Sequence, residues 1–134
     1  MNLRTMQAFA RQIAHQLQKN NGGIVLLSGP MGAGKTTLVG EIVRIICPHA
    51  LTSSPTYTVI NQYAENIYHA DLYRLCEDGN CDLNQVLDSI GLLDLCVAGN
   101  YVFVEWPNGL AFPDAMHVNI TVKEDGNREF TLNW

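Results

Sequence analysis

Apolar side chains recur at steps of three and four positions near the start of the chain, at Leu3, Met6, Ala10, Ile13 and Leu17. This period predicts a helix of about four turns with one apolar face, ended by the polar and glycine-rich residues 19–23. The continuously apolar run GIVLLS comes next and is typical of a strand buried on both faces. Helical spacing returns from Lys35 to Cys47, where Pro48 ends the second predicted helix.

The second half of the chain alternates short apolar segments with turn residues. Strands are predicted in SSPTYTVINQY, which begins as a loop, in NIYHADLYRL and in YVFVEWP. A third helix is indicated by Leu83, Val86, Leu87 and Ile90. MHVNITV and REFTLNW alternate apolar and polar residues around EDGN, the pattern of a β-hairpin. We therefore expect an α/β fold in a single domain over residues 1–134, with one sheet and a C-terminal β-hairpin.

Composition excludes several classes of protein. Hydrophobic residues make up 47% of the 134 positions and charged residues 16%, as in a globular domain rather than a disordered chain. No apolar run approaches the roughly 20 residues of a membrane helix. The acid-free start, with Arg4 and Arg11, faintly resembles an organelle transit peptide but contains no serine. The expected location is the cytoplasm, without a membrane partner.

The charge distribution disfavours direct binding to DNA or RNA. The formal net charge is −5, and no Lys or Arg lies between Arg74 and Lys123. Seven acids lie in that interval: Glu77, Asp78, Asp82, Asp88, Asp94, Glu105 and Asp114. Such a surface repels phosphate backbones. It either docks a basic partner protein or only keeps the chain in solution, and the sequence leaves both open.

Residues 29–36 fit the P-loop pattern G-x-x-x-x-G-K-[ST] between a strand and a helix. Glycines there let successive amide groups point into one concavity, and the helix adds the positive end of its dipole. Lys35 would reach the β and γ phosphates of a nucleoside triphosphate, and the Thr36 hydroxyl would bind Mg²⁺. The loop residues predicted to bind the nucleotide are Gly29, Gly32, Ala33, Gly34, Lys35, Thr36 and Thr37. The fold class becomes a P-loop NTPase-like three-layer sandwich with a mostly parallel or mixed sheet.

An acid at the end of a neighbouring buried strand completes such a site by holding the metal. Glu105 follows the apolar run YVFV, at the sheet edge where open α/β folds bind their ligands. Asp71, after IYHA, would contact the metal or orient the attacking water, unless it pairs with Arg74. The predicted metal ligands are Thr36 and Glu105, and the predicted catalytic residues are Lys35, Asp71 and Glu105.

Three other residues near this edge each have two interpretations. His69 is either a base or a hydrogen-bonded structural histidine. Thr56 either senses the γ-phosphate or begins a strand. Trp106 either stacks on a base or a partner, or packs inside. Zinc is an alternative use of His69, with Cys76, Cys81 and Cys96, but no second closely spaced pair supports it and free thiols are favoured.

GPMGAGKTT, SSPTYTVINQY, YHADLYRL and VEW, in this order in a short chain, resemble the motifs of the TsaE family, bacterial ATPases of tRNA threonylcarbamoyladenosine biosynthesis. The resemblance runs from the first helix to the final hairpin. It implies a P-loop fold with a mixed sheet, binding of ATP and Mg²⁺, and slow ATP hydrolysis. It also implies docking on TsaB- and TsaD-like proteins, which carry out the transfer to tRNA, so that contact with tRNA is indirect.

The resemblance assigns roles to individual residues. Lys35 and Thr36 would hold phosphate and metal, Glu105 would be the second metal ligand, and Asp71 a carboxylate of the catalytic site. Trp106 matches the tryptophan that follows the family's acid and is expected to contact the nucleotide.

Two more residues are expected near ATP, and two positions depart from the family pattern. Thr5 resembles the threonine that opens the family's first helix, and Arg128 the arginine near its last strand. Pro30 and Met31 stand where the family has an acid and a leucine, which removes no ligand.

Two other functions are compatible with the loop. A small-molecule kinase usually needs several arginines to clamp the transferred phosphoryl group. This chain has five arginines, but none of them lies between positions 75 and 127, which disfavours a kinase. A nucleotide-gated binding module with incidental hydrolysis would leave the same marks as a slow ATPase. An ATPase inside a tRNA-modifying complex accounts for all four motifs.

Overall fold

The computed structural model of the chain describes residues 3–30, 34–49, 60–72, 92–105, 115–126 and 128–133. In chain order the elements are α1 (Leu3–Lys19), β1 (Gly23–Ser28), α2 (Lys35–Ile46), β2 (Ile60–Ala64), β3 (Ile67–Asp71), α3 (Leu92–Leu95), β4 (Tyr101–Glu105), β5 (Met116–Val122) and β6 (Arg128–Asn133). The helix predicted around positions 83–90 lies outside the described residues.

The described strands form one mixed sheet in the order β2-β3-β4-β1-β5-β6. β3, β4, β1 and β5 are parallel, while β2 and β6 pair antiparallel to their neighbours at the two edges. The α/β class with a mixed sheet is therefore confirmed, as is the C-terminal hairpin of β5 and β6. Because parallel strands end at the same edge, the ends of β1, β3, β4 and β5 lie side by side.

One face of the sheet is covered by α1 and α2. The predicted apolar stripe of α1 is confirmed, since Met6, Ala10, Ile13 and Leu17 are buried against α2 and the sheet. The Phe9 ring stacks on Phe130 of β6 with the ring centroids 4.9 Å apart, which ties this helix to the far edge strand. Burying each large apolar side chain stabilises the fold by about 1.5–3 kcal/mol, so this layer is a substantial core.

The opposite face of the sheet is also buried. A second apolar cluster there comprises Leu26, Ala70, Leu72, Val102, Val104 and Ala115. Partly buried Leu95 and Cys96, at the end of α3, pack against it. Every residue of β4 is buried, as expected for a central strand with both faces covered.

Side-chain alternation decides which residues face α2. Tyr101 and Phe103 belong to the cluster under α1 and α2, so Glu105, two residues on, points to that same face. In β3 the same rule groups His69 and Asp71 with the buried Ile67. The chain thus presents three titratable side chains to the helix that begins at Lys35.

Candidate functional site

The loop between β1 and α2 requires glycine at both of its described glycine positions. Gly29 has φ 152°, and a Cβ there would lie 2.6 Å from the Ile120 carbonyl oxygen on β5. Gly34 has φ 106° and is the N-cap of α2 without a side-chain hydrogen bond. Since glycine has no side chain, no capping side chain at this position competes with a ligand for the first amide groups of the helix. Gly32 and Ala33, also predicted to bind the nucleotide, lie outside the described residues.

Lys35 is a buried cation at the start of α2, with only 4% of its surface exposed. Its Nζ donates hydrogen bonds to the carbonyl oxygens of Gly29, at 2.5 Å, and Pro30, at 3.2 Å. Burial lowers the pKa of Lys35, and the negative charges of Glu105 and Asp71 partly offset that effect. The ammonium group is thus held over the first residues of the loop, with two carboxylates nearby.

Thr36 and Glu105 join α2 to β4. The Thr36 hydroxyl donates a 2.8 Å hydrogen bond to Glu105 Oε2, although the two residues are 69 positions apart in the chain. Glu105 is 3% exposed and lies beside Leu27 of β1 and Asp71 of β3 in the sheet. The two residues predicted as metal ligands are therefore brought into direct contact, both with oxygen donors.

Glu105 is a charged carboxylate in spite of its burial. Burial raises its pKa, but the hydrogen bonds from His69 and Thr36 and the positive charge of Lys35 together lower it below the ordinary value. A carboxylate with this environment accepts hydrogen bonds and does not donate them at neutral pH.

His69 is the residue whose role the sequence left open between a base and a structural histidine. It is fully buried in β3, with Nε2 2.5 Å from Glu105 Oε2 and Nδ1 2.7 Å from the Tyr63 hydroxyl. Tyr63 was not predicted as a site residue. The two-residue spacing of His69 and Asp71 indicates that both face the site. It does not indicate that Tyr63 of β2 would contact His69, because that contact depends on the register of the two strands.

Asp71 lies at the end of β3, half-buried, directly beside Glu105 in the parallel register. Neighbouring strands are about 4.8 Å apart, so the two carboxylates face the same small region above Lys35. The alternative pairing of Asp71 with Arg74 involves a residue outside the described part of the chain.

Three more predicted nucleotide contacts, Thr5, Thr37 and Arg128, lie at the same end of the molecule. Thr5 is exposed in the first turn of α1, next to Met6, whose Cε would be 3.2 Å from a Cβ at Gly34. Thr37 is exposed in the first turn of α2. Arg128 is half-buried at the start of β6, paired with Val122 at the edge where β5 ends. Thr56 and Trp106 fall outside the described residues.

The structure separates two of the four residues named in the zinc alternative. His69 faces α1 and α2, whereas Cys96 packs on the opposite face of the sheet, so the two cannot share a metal ion. Within the ranges that the structure describes, no group of three or more His, Cys, Asp and Glu side chains is placed to hold a metal ion. None of the helices in those ranges has the length and apolarity needed to cross a membrane. Cys76 and Cys81 are not among the described residues.

Comparison with known proteins identifies the family. A family model described as "Threonylcarbamoyl adenosine biosynthesis protein TsaE" matches residues 1–130. A protein of Nostoc sp. strain PCC 7120, named tRNA threonylcarbamoyladenosine biosynthesis protein TsaE, is 33% identical over 113 residues, which are 81% of this chain and 68% of the relative. The Rickettsia prowazekii protein of the same name is 32% identical over 127 residues, covering 90% of this chain and 82% of the relative.

A longer relative and a solved structure are also similar to this chain. The Mycobacterium bovis protein of that name is 36% identical over 96 residues, but the match spans only 56% of its length. A crystal structure of Bacillus subtilis YdiB superposes with a TM-score of 0.67 over 98% of this chain and 80% of that one, at 22% identity, which shows the shared fold. The family match over nearly the whole sequence is decisive, and the chain belongs to the TsaE family of tRNA threonylcarbamoyladenosine biosynthesis proteins.

Proposed function

We propose that this chain is the Mg²⁺-dependent ATP-binding and ATP-hydrolysing subunit required for threonylcarbamoyladenosine modification of tRNA. One observation carries the proposal: the buried Glu105 carboxylate accepts a hydrogen bond from Thr36 at the first turn of α2, beside the buried Lys35 ammonium. This is the donor set that P-loop proteins use for a nucleoside triphosphate and its metal.

The residues present fit that ligand. Mg²⁺ prefers oxygen donors and takes one or two protein ligands together with phosphate oxygens, which a hydroxyl at Thr36 and a carboxylate at Glu105 can supply. The two carboxylates Glu105 and Asp71 outnumber the one ammonium group of Lys35, so the site has an excess of negative charge that attracts a cation. The start of α2 offers amide groups to phosphate oxygens.

Each side chain has a defined task in this proposal. When bound, ATP would supply the phosphoanhydride bond that is cleaved, and Mg²⁺ would supply positive charge next to the phosphate oxygens. Lys35 would donate to phosphate oxygens in place of the loop carbonyls, and Thr36 and Glu105 would hold the metal. Asp71, beside Glu105, would orient the water that attacks the γ-phosphate and releases ADP.

The partners follow from the family rather than from a surface of this chain. Relatives that match most of the chain are named for tRNA threonylcarbamoyladenosine biosynthesis. The net charge of −5 disfavours direct contact with tRNA. We infer that the chain acts through TsaB- and TsaD-like proteins and that its hydrolysis supports their repeated turnover.

We expect the purified chain to release phosphate from ATP slowly, and faster when TsaB- and TsaD-like proteins from the same organism are added. Phosphate release should require Mg²⁺ and stop when the metal is chelated. If the chain did not bind the two proteins and they did not stimulate phosphate release, the proposed role would be contradicted. Transfer of labelled γ-phosphate to a metabolite rather than to water would instead favour a small-molecule kinase.

A further inference from the structure

A chain of hydrogen bonds runs from the edge strand β2 to the proposed metal ligand. The Tyr63 hydroxyl lies 2.7 Å from His69 Nδ1, and His69 Nε2 lies 2.5 Å from Glu105 Oε2, which also accepts the Thr36 hydroxyl at 2.8 Å. The proposed ATPase reaction uses neither Tyr63 nor His69. A fully buried histidine with both ring nitrogens engaged is held in one orientation, because rotating the ring would break both bonds.

The direction of these hydrogen bonds follows from Glu105. Glu105 Oε2 accepts the Thr36 hydroxyl and lies within hydrogen-bond distance of His69 Nε2, so Nε2 carries the proton and donates it to this oxygen. In the neutral ring Nδ1 is then an acceptor, and the Tyr63 hydroxyl donates to it. Tyr63 and Glu105 thus select the same tautomer of His69 from opposite sides.

The pairing of β2 with β3 is irregular at Tyr63, the residue that contacts His69. Asn61 pairs with His69 and Gln62 with Tyr68, but Ala64 rather than Tyr63 pairs with Ile67. The register therefore shifts by one residue at Tyr63, as in a β-bulge. Bulges re-aim a side chain and are frequent next to active sites. The ring of Tyr63 meets that of His69 edge-on, with the centroids 5.7 Å apart.

The arrangement assigns different tasks to the two oxygens of Glu105. Among the described residues, the hydrogen bonds to this carboxylate from Thr36 and from His69 both go to Oε2. With Oε2 fixed by two donors, the carboxylate cannot rotate, and Oε1 keeps a constant direction. Outer hydrogen bonds of this kind orient metal ligands and tune their affinity.

We propose that His69 and Tyr63 are positioning residues that lock the Glu105 carboxylate in the rotation needed to hold the metal of the bound nucleotide. This inference rests on the proposed ATP- and metal-binding function and adds to it the residues that orient the ligand. His69 is then not a base for the attacking water, because Nε2 is committed to Glu105 and Nδ1 to Tyr63.

The test compares two tyrosines of the same hairpin. Tyr63→Phe removes only the hydroxyl bonded to His69, while Tyr68→Phe removes a hydroxyl that bonds to the Glu65 carbonyl. For each variant of the full chain, binding of a fluorescent ADP analogue is measured in EDTA and then as a function of Mg²⁺ concentration. We expect Tyr63→Phe to raise the Mg²⁺ concentration at half-saturation about fivefold, the effect of one hydrogen bond. Affinity in EDTA should stay at the parent value, and Tyr68→Phe should match the parent in both measurements.

Substitution of His69 should have a larger effect than substitution of Tyr63. His69→Leu removes both bonds and should raise the half-saturating Mg²⁺ concentration about 10- to 100-fold, as for other outer partners of metal ligands. His69→Gln keeps a side-chain amide that can donate to Glu105 and should restore part of that loss. A merely structural role would give equal losses for Leu and Gln and would weaken nucleotide binding in EDTA as well.

Nitrogen NMR of the His69 ring tests the tautomer without any ligand. We expect a slowly exchanging proton on Nε2 in the parent protein; a neutral ring with its proton on Nδ1 would overturn the inference. A parent that binds Mg²⁺ and nucleotide, with His69→Leu indistinguishable from Tyr68→Phe, would overturn it too and leave the proposed function intact. A parent that binds no nucleotide at all would overturn the proposed function and this inference with it.

Discussion

Replacement of Lys35 by methionine is expected to abolish nucleotide binding and to reduce phosphate release by about 100-fold or more, the range seen when a preorganised donor is removed from a reaction centre. The amine of Lys35 is buried and held by the loop carbonyls of Gly29 and Pro30, at the place where phosphate oxygens would lie. Methionine has a similar length but no charge, so the change removes the donor and leaves the packing.

The unfolding temperature of Lys35→Met shows whether a loss of nucleotide binding is due to the missing ammonium group or to unfolding. Burial lowers the pKa of Lys35, which means that the native state pays to keep the ammonium desolvated. Lys35→Met should therefore keep or raise the unfolding temperature while losing the nucleotide. Lys123→Met is the matched control, since that side chain is exposed and its Nζ pairs at 3.6 Å with the carboxylate of Glu129, which is also exposed. Phosphate release at the parent rate from Lys35→Met would contradict the assignment of this loop.

Glu105→Gln is expected to reduce Mg²⁺-dependent phosphate release by about 100-fold, because a neutral amide is a poor ligand for a hard cation. The amide has nearly the same shape, and its oxygen can still accept the hydrogen bond from Thr36 or from His69. Nucleotide binding in the absence of metal should therefore survive. Phosphate release and binding of the fluorescent nucleotide in EDTA, measured on the same preparation, check both parts.

Glu129→Gln, on the exposed side of β6, controls for the loss of one negative charge. The same Glu105→Gln variant also distinguishes an ATPase from a nucleotide-gated binding module. When it is added to the tRNA-modifying reaction with its partner proteins, we expect modification to stop after few turnovers. Modification at the parent level would mean that hydrolysis is dispensable and that nucleotide occupancy alone carries the signal.

The parts of the site that could be predicted are those set by local sequence. The spacing of Gly29, Gly34, Lys35 and Thr36 encodes a strand, a tight loop and a helix within one short segment. Glu105 could be found because an apolar run before an acid places that acid at the end of a buried strand. In both cases the pattern can be read from residues that are close together in the sequence.

The parts that could not be predicted depend on contacts between distant segments. The hydrogen bond between Tyr63 and His69 lies beside a one-residue shift in the register of β2 and β3, and no pattern in the sequence predicts that shift. The glycine at position 29 also has a role that the P-loop pattern does not show, because a side chain there would meet the Ile120 carbonyl of β5. The first contact depends on strand register and the second on strand order, and both are properties of the assembled sheet.

The central claim is that the corner between β1 and α2 holds a nucleoside triphosphate. Isothermal titration of ATP into the folded chain tests it most directly, with and without Mg²⁺ and with the TsaB- and TsaD-like proteins present or absent. We predict saturable binding that is strengthened by Mg²⁺ and lost in Lys35→Met. Folded protein that gives no binding heat under any of these conditions, at several temperatures, would contradict it.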